Sequence, residues 1–259
     1  MLGRSLRMAF WIYYDHLGTF VALNLLVALV MAAPVWMAGA ALLSGDPALW
    51  VTVGLPLYFL VTGVLWPLGL VGVLAYARQR IDERSGSLGD FFAGVRRHGV
   101  QAVLVGSAYA VAVAGLLFGM WFYAVRVGAS APWAGFVLSG VAGWALVLLL
   151  PTAPWALTAV VFRRCGAGMA LRLGAGLAFG HPGLSLALSL VTGVLLLLAL
   201  SPPGFLLLTV APVAVWWAAA YEILARQYAV AGGQPLAWND ANDDYLNRGW
   251  SDLLFPWKS

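Results

Sequence analysis

Residues 17–43 read LGTFVALNLLVALVMAAPVWMAGAALL, a stretch without one charged side chain. At about 1.5 Å of rise per residue, such a run is long enough as a helix to cross a hydrocarbon core about 30 Å thick. Five further runs share this character, at residues 50–77, 99–125, 133–162, 184–200 and 205–225. The whole chain agrees with them. Of 259 residues, 63% are apolar and 9% charged, whereas a soluble domain carries roughly a quarter charged residues. Continuous apolar runs predict helices, because a membrane barrel would show segments of about ten residues with alternating polarity. The expected fold class is therefore all-α integral membrane with six transmembrane helices.

The charges that remain are placed unevenly. Thirteen of the fourteen basic residues fall at the N-terminus, after the second and fourth runs, or in the tail, and Arg126 stands alone on the other side. This asymmetry predicts that both termini are cytoplasmic, in a bacterial inner (plasma) membrane. Trp50, Trp121 and Trp133 fall at the outer ends of apolar runs, and Trp11, Trp238, Trp250 and Trp257 in the cytoplasmic flanks. Those are the positions of interfacial aromatic belts. The single cysteine, Cys165, excludes an internal disulfide. The net charge of +4 is accounted for by topology and gives no reason to expect a nucleic-acid partner.

Three stretches line up: SLRMAFWIYYDH at 5–16, SLGDFFAGVRRH at 87–98 and ALRLGAGLAFGH at 170–181. The chain's three histidines, His16, His98 and His181, fall in register at offsets of 82 and 83 residues, each followed by Gly within two positions. Apolar residues at i, i+3, i+4 and i+7 (Leu6, Ala9, Phe10, Tyr13; Leu88, Phe91, Phe92, Val95) mark one face of a helix in the first two copies. Each copy reads as a short interfacial helix, an elbow at the histidine, and a hairpin of two membrane helices. The expected organisation is a membrane domain of residues 1–225 in three parallel repeats (1–77, 78–162, 163–225), then a cytoplasmic tail, 226–259.

Candidate positions are few. Pro67, in the second run, Pro151 and Pro154, in the fourth, and Pro212, in the sixth, each precede a cytoplasmic arginine at a similar distance. Breaks at corresponding places in repeats can mark a binding site near the midplane, and packing kinks are the plainer alternative. Asn24 is the main polar group deep in the first run, as expected of an interhelical hydrogen bond. Glu222 and Arg226, four residues apart, form an expected ion pair snorkelling to the interface. The three histidines lack a local ligand spacing, so neither a metal nor any other cofactor is expected. Gly115 and Gly119 form a GxxxG pair suited to close helix approach. In the tail, Asp240, Asn242 and Asp244 imitate the start of a calcium loop, but Tyr245 and Ser251 stand where its Gly and Glu belong. Residues 250–257 read as a segment that lies on the membrane or docks a partner. No GxxxxGK, HExxH or GxSxG motif occurs, and an enzyme is not expected.

With its length, helix layout and the segment SLGDFFAGVRRH after the second run, the chain resembles the YesL-like family of small bacterial polytopic membrane proteins over most of residues 1–225. That resemblance implies a companion of carbohydrate ABC importers without an established activity of its own, and it transfers no functional residue. The expected function is a non-enzymatic accessory or scaffold component associated with solute uptake. Its partners would be the lipid bilayer and a membrane protein such as an ABC importer. The alternative is a small uncoupled carrier with a pathway between the proline-kinked second, fourth and sixth helices.

Overall fold

A computed structural model describes residues 1–232 and 243–248; every regular element among them is helical. Among the described residues five helices are long and apolar enough to cross a membrane: α2 (Leu17–Leu43), α3 (Pro47–Asp82), α4 (Leu88–Ser130), α5 (Pro132–Phe162) and α8 (Pro202–Ala231). They become six if the bent pair α6 (Ala167–Gly180) and α7 (Pro182–Leu198) counts as one span. The amphipathic α1 (Leu2–Asp15) precedes them, and the short α9 (Asp244–Asn247) follows.

α8 forms the centre of the bundle. Nearly every residue from Ala211 to Leu224 is buried, whereas α4 buries one face, from Phe91 to Ala110, and exposes residues such as Val111, Leu117 and Phe118 beyond it. Val213, Trp216, Trp217 and Leu224 of α8 pack with Phe20 and Leu23 of α2, Leu70 and Leu74 of α3, and Trp155 of α5 in one core. Outward-facing positions such as Trp36, Phe136, Trp144 and Leu190 remain exposed and apolar, as a surface solvated by acyl chains requires. The Trp121 and Trp133 side chains are exposed at one end of the bundle, as interfacial aromatics would be. Trp11 is not exposed: it is buried, with the Arg248 guanidinium 5.4 Å from its ring centroid.

The interior is built on small residues. A β-carbon on Gly94 of α4 would come within 2.4 Å of Ala75, and one on Gly106 within 2.2 Å of Pro67, both on α3. Gly72 of α3 lies equally close under Phe91. Backbones approach wherever the side chain vanishes. Gly115 and Gly119 meet no other helix in this way. α1 buries Ser5, Met8, Ala9, Trp11 and Ile12 and turns Leu6 and Phe10 outward. Its buried stripe lies about one position from the expected one, because the outward Leu6 and Phe10 lose nothing where the surroundings are apolar too.

Helix boundaries also differ from the sequence pattern. The chain leaves helical geometry at His16 (φ −124°, ψ 26°) and at His181 (φ −134°, ψ 63°), where α6 and α7 meet at 109°. At His98 there is no break, and α4 runs through it without interruption. A capping box at its start, with Asp90 accepting from the Ser87 backbone N–H at 2.6 Å, fixes the N-terminus ten residues earlier. Gly99 alone does not end a helix that continues to pack along α3.

Candidate functional site

Proline in a helix removes one N–H donor and frees the carbonyl four residues earlier. In a membrane that carbonyl must find a donor inside the protein. In α3 a π-helical turn (Leu60–Leu65) precedes Pro67, and the carbonyl freed by Pro67, that of Gly63, faces the Ser107 hydroxyl of α4 at 3.4 Å. In α5 the helix is interrupted at residues 150–151, beside Pro151 and Pro154. There the Thr152 hydroxyl donates to the Leu149 carbonyl at 2.6 Å and meets the Tyr109 hydroxyl of α4 at 2.6 Å.

The interruption in α8 is the deepest. Its two parts, Pro202–Leu208 and Ala211–Ala231, are separated at residues 209–210, and Pro212 occupies the first turn of the second. The Asn24 side chain, fully buried, inserts from α2. Its Oδ1 accepts the N–H groups of Val210 at 2.7 Å and Ala211 at 2.8 Å, and its Nδ2 donates to the Leu206 carbonyl at 2.7 Å. Trp66 of α3 donates its indole N–H to the Thr209 carbonyl at 3.2 Å. One amide and one indole thus close the open backbone of a broken helix, and Asn24 has no oxygen or nitrogen left idle. Two further indoles fix α7: Trp155 donates to Ser185 at 2.7 Å and Trp217 to Thr192 at 2.9 Å.

The three histidines do not converge on one site. His16 and His181 each join two helices, and His98 is buried on α4. His181 Nε2 lies 2.7 Å from the Tyr228 hydroxyl. Burial, followed by the charge of Arg80, lowers the pKa of His16 below the ordinary imidazole value. Among the described residues, no group of three His, Cys, Asp or Glu side chains could hold a metal.

The arginine-rich end of the bundle holds the densest polar cluster. Arg226 pairs with Glu222 at 2.8 Å as its spacing predicts. It does not snorkel, however, because the residue is 3% exposed and its Nη1 reaches Asp243 Oδ2 at 2.6 Å. The fully buried Asp243 takes Arg84 on its other oxygen at 3.0 Å. The Arg84 guanidinium lies 4.1 Å from the centroid of the Tyr245 ring. Burial pushes the Asp243 carboxyl up, but the hydrogen bond and charge of Arg226, followed by those of Arg84, outweigh it and hold the group below the usual carboxylate range. Arg7 donates to the Leu246 carbonyl at 3.1 Å and Arg248 pairs with Asp15 at 2.5 Å. Residues 243–248 are thereby clasped to α1, α8 and the α3–α4 loop. Nothing in local spacing connects Asp243 with Arg84, 159 positions away, so the sequence pattern carries no sign of this clasp. Residues 240, 242 and 250–257, which carry the calcium-like and aromatic tail patterns, lie outside the described residues.

No family model matches this chain, and no curated protein or solved structure matches it.

Proposed function

We propose that the chain is a non-enzymatic integral membrane protein that serves as an accessory or scaffold component associated with solute uptake. One observation carries the non-transporting part of this reading: the polar backbone exposed at the α8 break is occupied by Asn24 and Trp66. A carrier that used the break would need those groups free for its substrate. The link to solute uptake, and to carbohydrate importers in particular, rests on the YesL-like resemblance. We read the chain as three parallel units with both termini in the cytoplasm of a bacterium. The units are supported by the matching breaks at His16 and His181 and by Arg84 and Arg164, which stand in left-handed backbone two positions beyond α3 and α5 (φ 52° and 50°). The orientation is supported by the thirteen-to-one division of basic residues.

Affinity purification from native membranes after in-cell crosslinking tests the proposal. The expected result is stoichiometric recovery of the membrane subunits of an ABC importer, together with reduced uptake of its solute when the chain is deleted. Uptake unchanged on deletion, with no reproducible membrane partner, overturns it. The uncoupled-carrier reading keeps one point in its favour, the Pro212 break facing a polar side chain inside the bundle. Solute flux into vesicles reconstituted with the pure protein, abolished by Asn24→Leu, would establish the carrier instead.

A further inference from the structure

A cavity of about 430 Å³ opens between α6 and α8 beside the arginine-rich end, within the size range of small-molecule sites. Its walls come from two helical stripes. Met169, Leu173 and Leu177 recur every fourth residue on α6, and Leu224 and Ala225 face them from α8. The two ends are polar. At one, Arg163 Nε donates to the Tyr221 hydroxyl at 3.1 Å; at the other, the Tyr228 hydroxyl meets His181. Among the described residues no acidic side chain lines the cavity, and the neighbouring Glu222 is engaged by Arg226.

This arrangement has the chemistry of an amphiphile site: a cationic mouth over an apolar channel. Arg163 spends only its Nε on Tyr221 among the described residues, and the exposed guanidinium keeps its planar Nη edge for an incoming anion. Such an edge suits a phosphate, which it can bind bidentately. The 109° bend lays α6 across the end of α7, so the cavity opens where headgroups meet acyl chains if the arginine-rich end is a membrane interface. Basic pockets between membrane helices at such interfaces recognise anionic headgroups. We propose that the α6–α8 cavity binds one anionic glycerophospholipid, its phosphate on Arg163 and the Tyr221 hydroxyl, and an acyl chain along Met169, Leu173, Leu177 and Leu224. The site does not depend on the accessory role proposed above, since its occupant is a component of the bilayer.

The full-length protein in neutral detergent, incubated with phosphatidylglycerol or phosphatidylcholine of identical chains, provides the test by native mass spectrometry. Wild type retains phosphatidylglycerol several-fold more than phosphatidylcholine. Arg163→Gln brings the ratio close to one, Leu173→Trp reduces retention of both lipids, and Arg172→Gln, on the exposed side of α6, changes neither. Equal retention of both lipids by wild type, or an undiminished preference in Arg163→Gln, overturns the proposal. A second measurement needs no variant: a phosphatidylglycerol with a photoreactive acyl chain should label peptides of α6 and α8. Labelling confined to other helices overturns it as well.

Discussion

The side-chain oxygen of Asn24 accepts the backbone N–H of Val210, 186 positions along the chain, at 2.7 Å. A single amide in α2 thus accepts the N–H groups that the preceding turn of an unbroken α8 would have accepted. Replacing it by leucine leaves two buried N–H groups without an acceptor, at a cost of about 1–3 kcal/mol each. Asn24→Leu should lower the unfolding free energy by about 3 kcal/mol in reversible denaturation from detergent. Asn24→Asp, which retains an acceptor but loses the donor to Leu206, should behave differently from Leu in the same assay. An Asn24→Leu protein with the wild-type midpoint would show that the break closes by other means.

Close approach of α3 and α4 makes a second expectation. Gly106→Leu forces a side chain into the space of the Pro67 ring and the Gly63 carbonyl, and overpacking of this kind costs about 1–3 kcal/mol. Gly115→Leu, on the same helix with nothing within 4 Å, should leave thermal stability unchanged. Equal effects of the two substitutions would contradict the packing described.

Arg164 sits at φ 50°, where an L side chain costs about 1–2 kcal/mol. Arg164→Gly should therefore raise stability by about 1 kcal/mol after the greater entropy of glycine in the unfolded chain is subtracted. Arg84→Gly relieves the same backbone conformation at φ 52° but removes the ion pair to Asp243. That variant should lose protection of residues 243–248 in hydrogen exchange. If both glycine variants gain stability alike, the Arg84–Asp243 pair is not holding the clasp.

The clasp should also respond to acid. The folded state holds the Asp243 carboxyl below its ordinary value, so the folded protein binds fewer protons than the unfolded one. Its contribution is complete above the ordinary carboxylate pKa of about 4 and is lost as pH falls through the depressed folded value. Hydrogen exchange at residues 243–248 should be slow near neutrality and accelerate, beyond the intrinsic acid dependence, only in strong acid. Asp243→Asn leaves Arg226 buried without that carboxylate. It should speed exchange at all pH values and remove the acid step; an acid step that survives in Asn would assign the titration to another group.

Much of the bundle is legible from hydropathy alone. Runs such as 17–43 and 99–122 are continuous helix, long and apolar enough to cross a membrane, as their hydropathy predicts. The breaks at His16 and His181 were marked as well, by the Gly that follows within two positions and by Pro182. Rotation about each helix axis was not legible. In water the apolar stripe points inward, but in a bilayer both surroundings are apolar, so Leu6 and Phe10 could face lipid while Ser5 and Ala9 face protein. Between α3 and α4 small residues decide the approach, at Gly72, Gly94 and Gly106 rather than at the GxxxG pair. His98 repeats the letters of the other two elbows in a helix that has another helix to lie against. The Asp243 clasp was hidden for a different reason. It joins residues 84, 226 and 243 through tertiary geometry, and no periodicity relates such positions.

Because Asp243 bridges Arg84 and Arg226, the order of synthesis acquires a structural meaning. Among the described residues every membrane-length helix precedes Asp243 in the chain, and Glu222 is the partner Arg226 has on its own helix. The link between the α3–α4 loop and the end of α8 can close only when residue 243 has left the ribosome. The clasp therefore works as a late latch on insertion: chains stopped between residues 232 and 242 have all the long apolar helices of the described residues yet lack the carboxylate that ties Arg84 to Arg226.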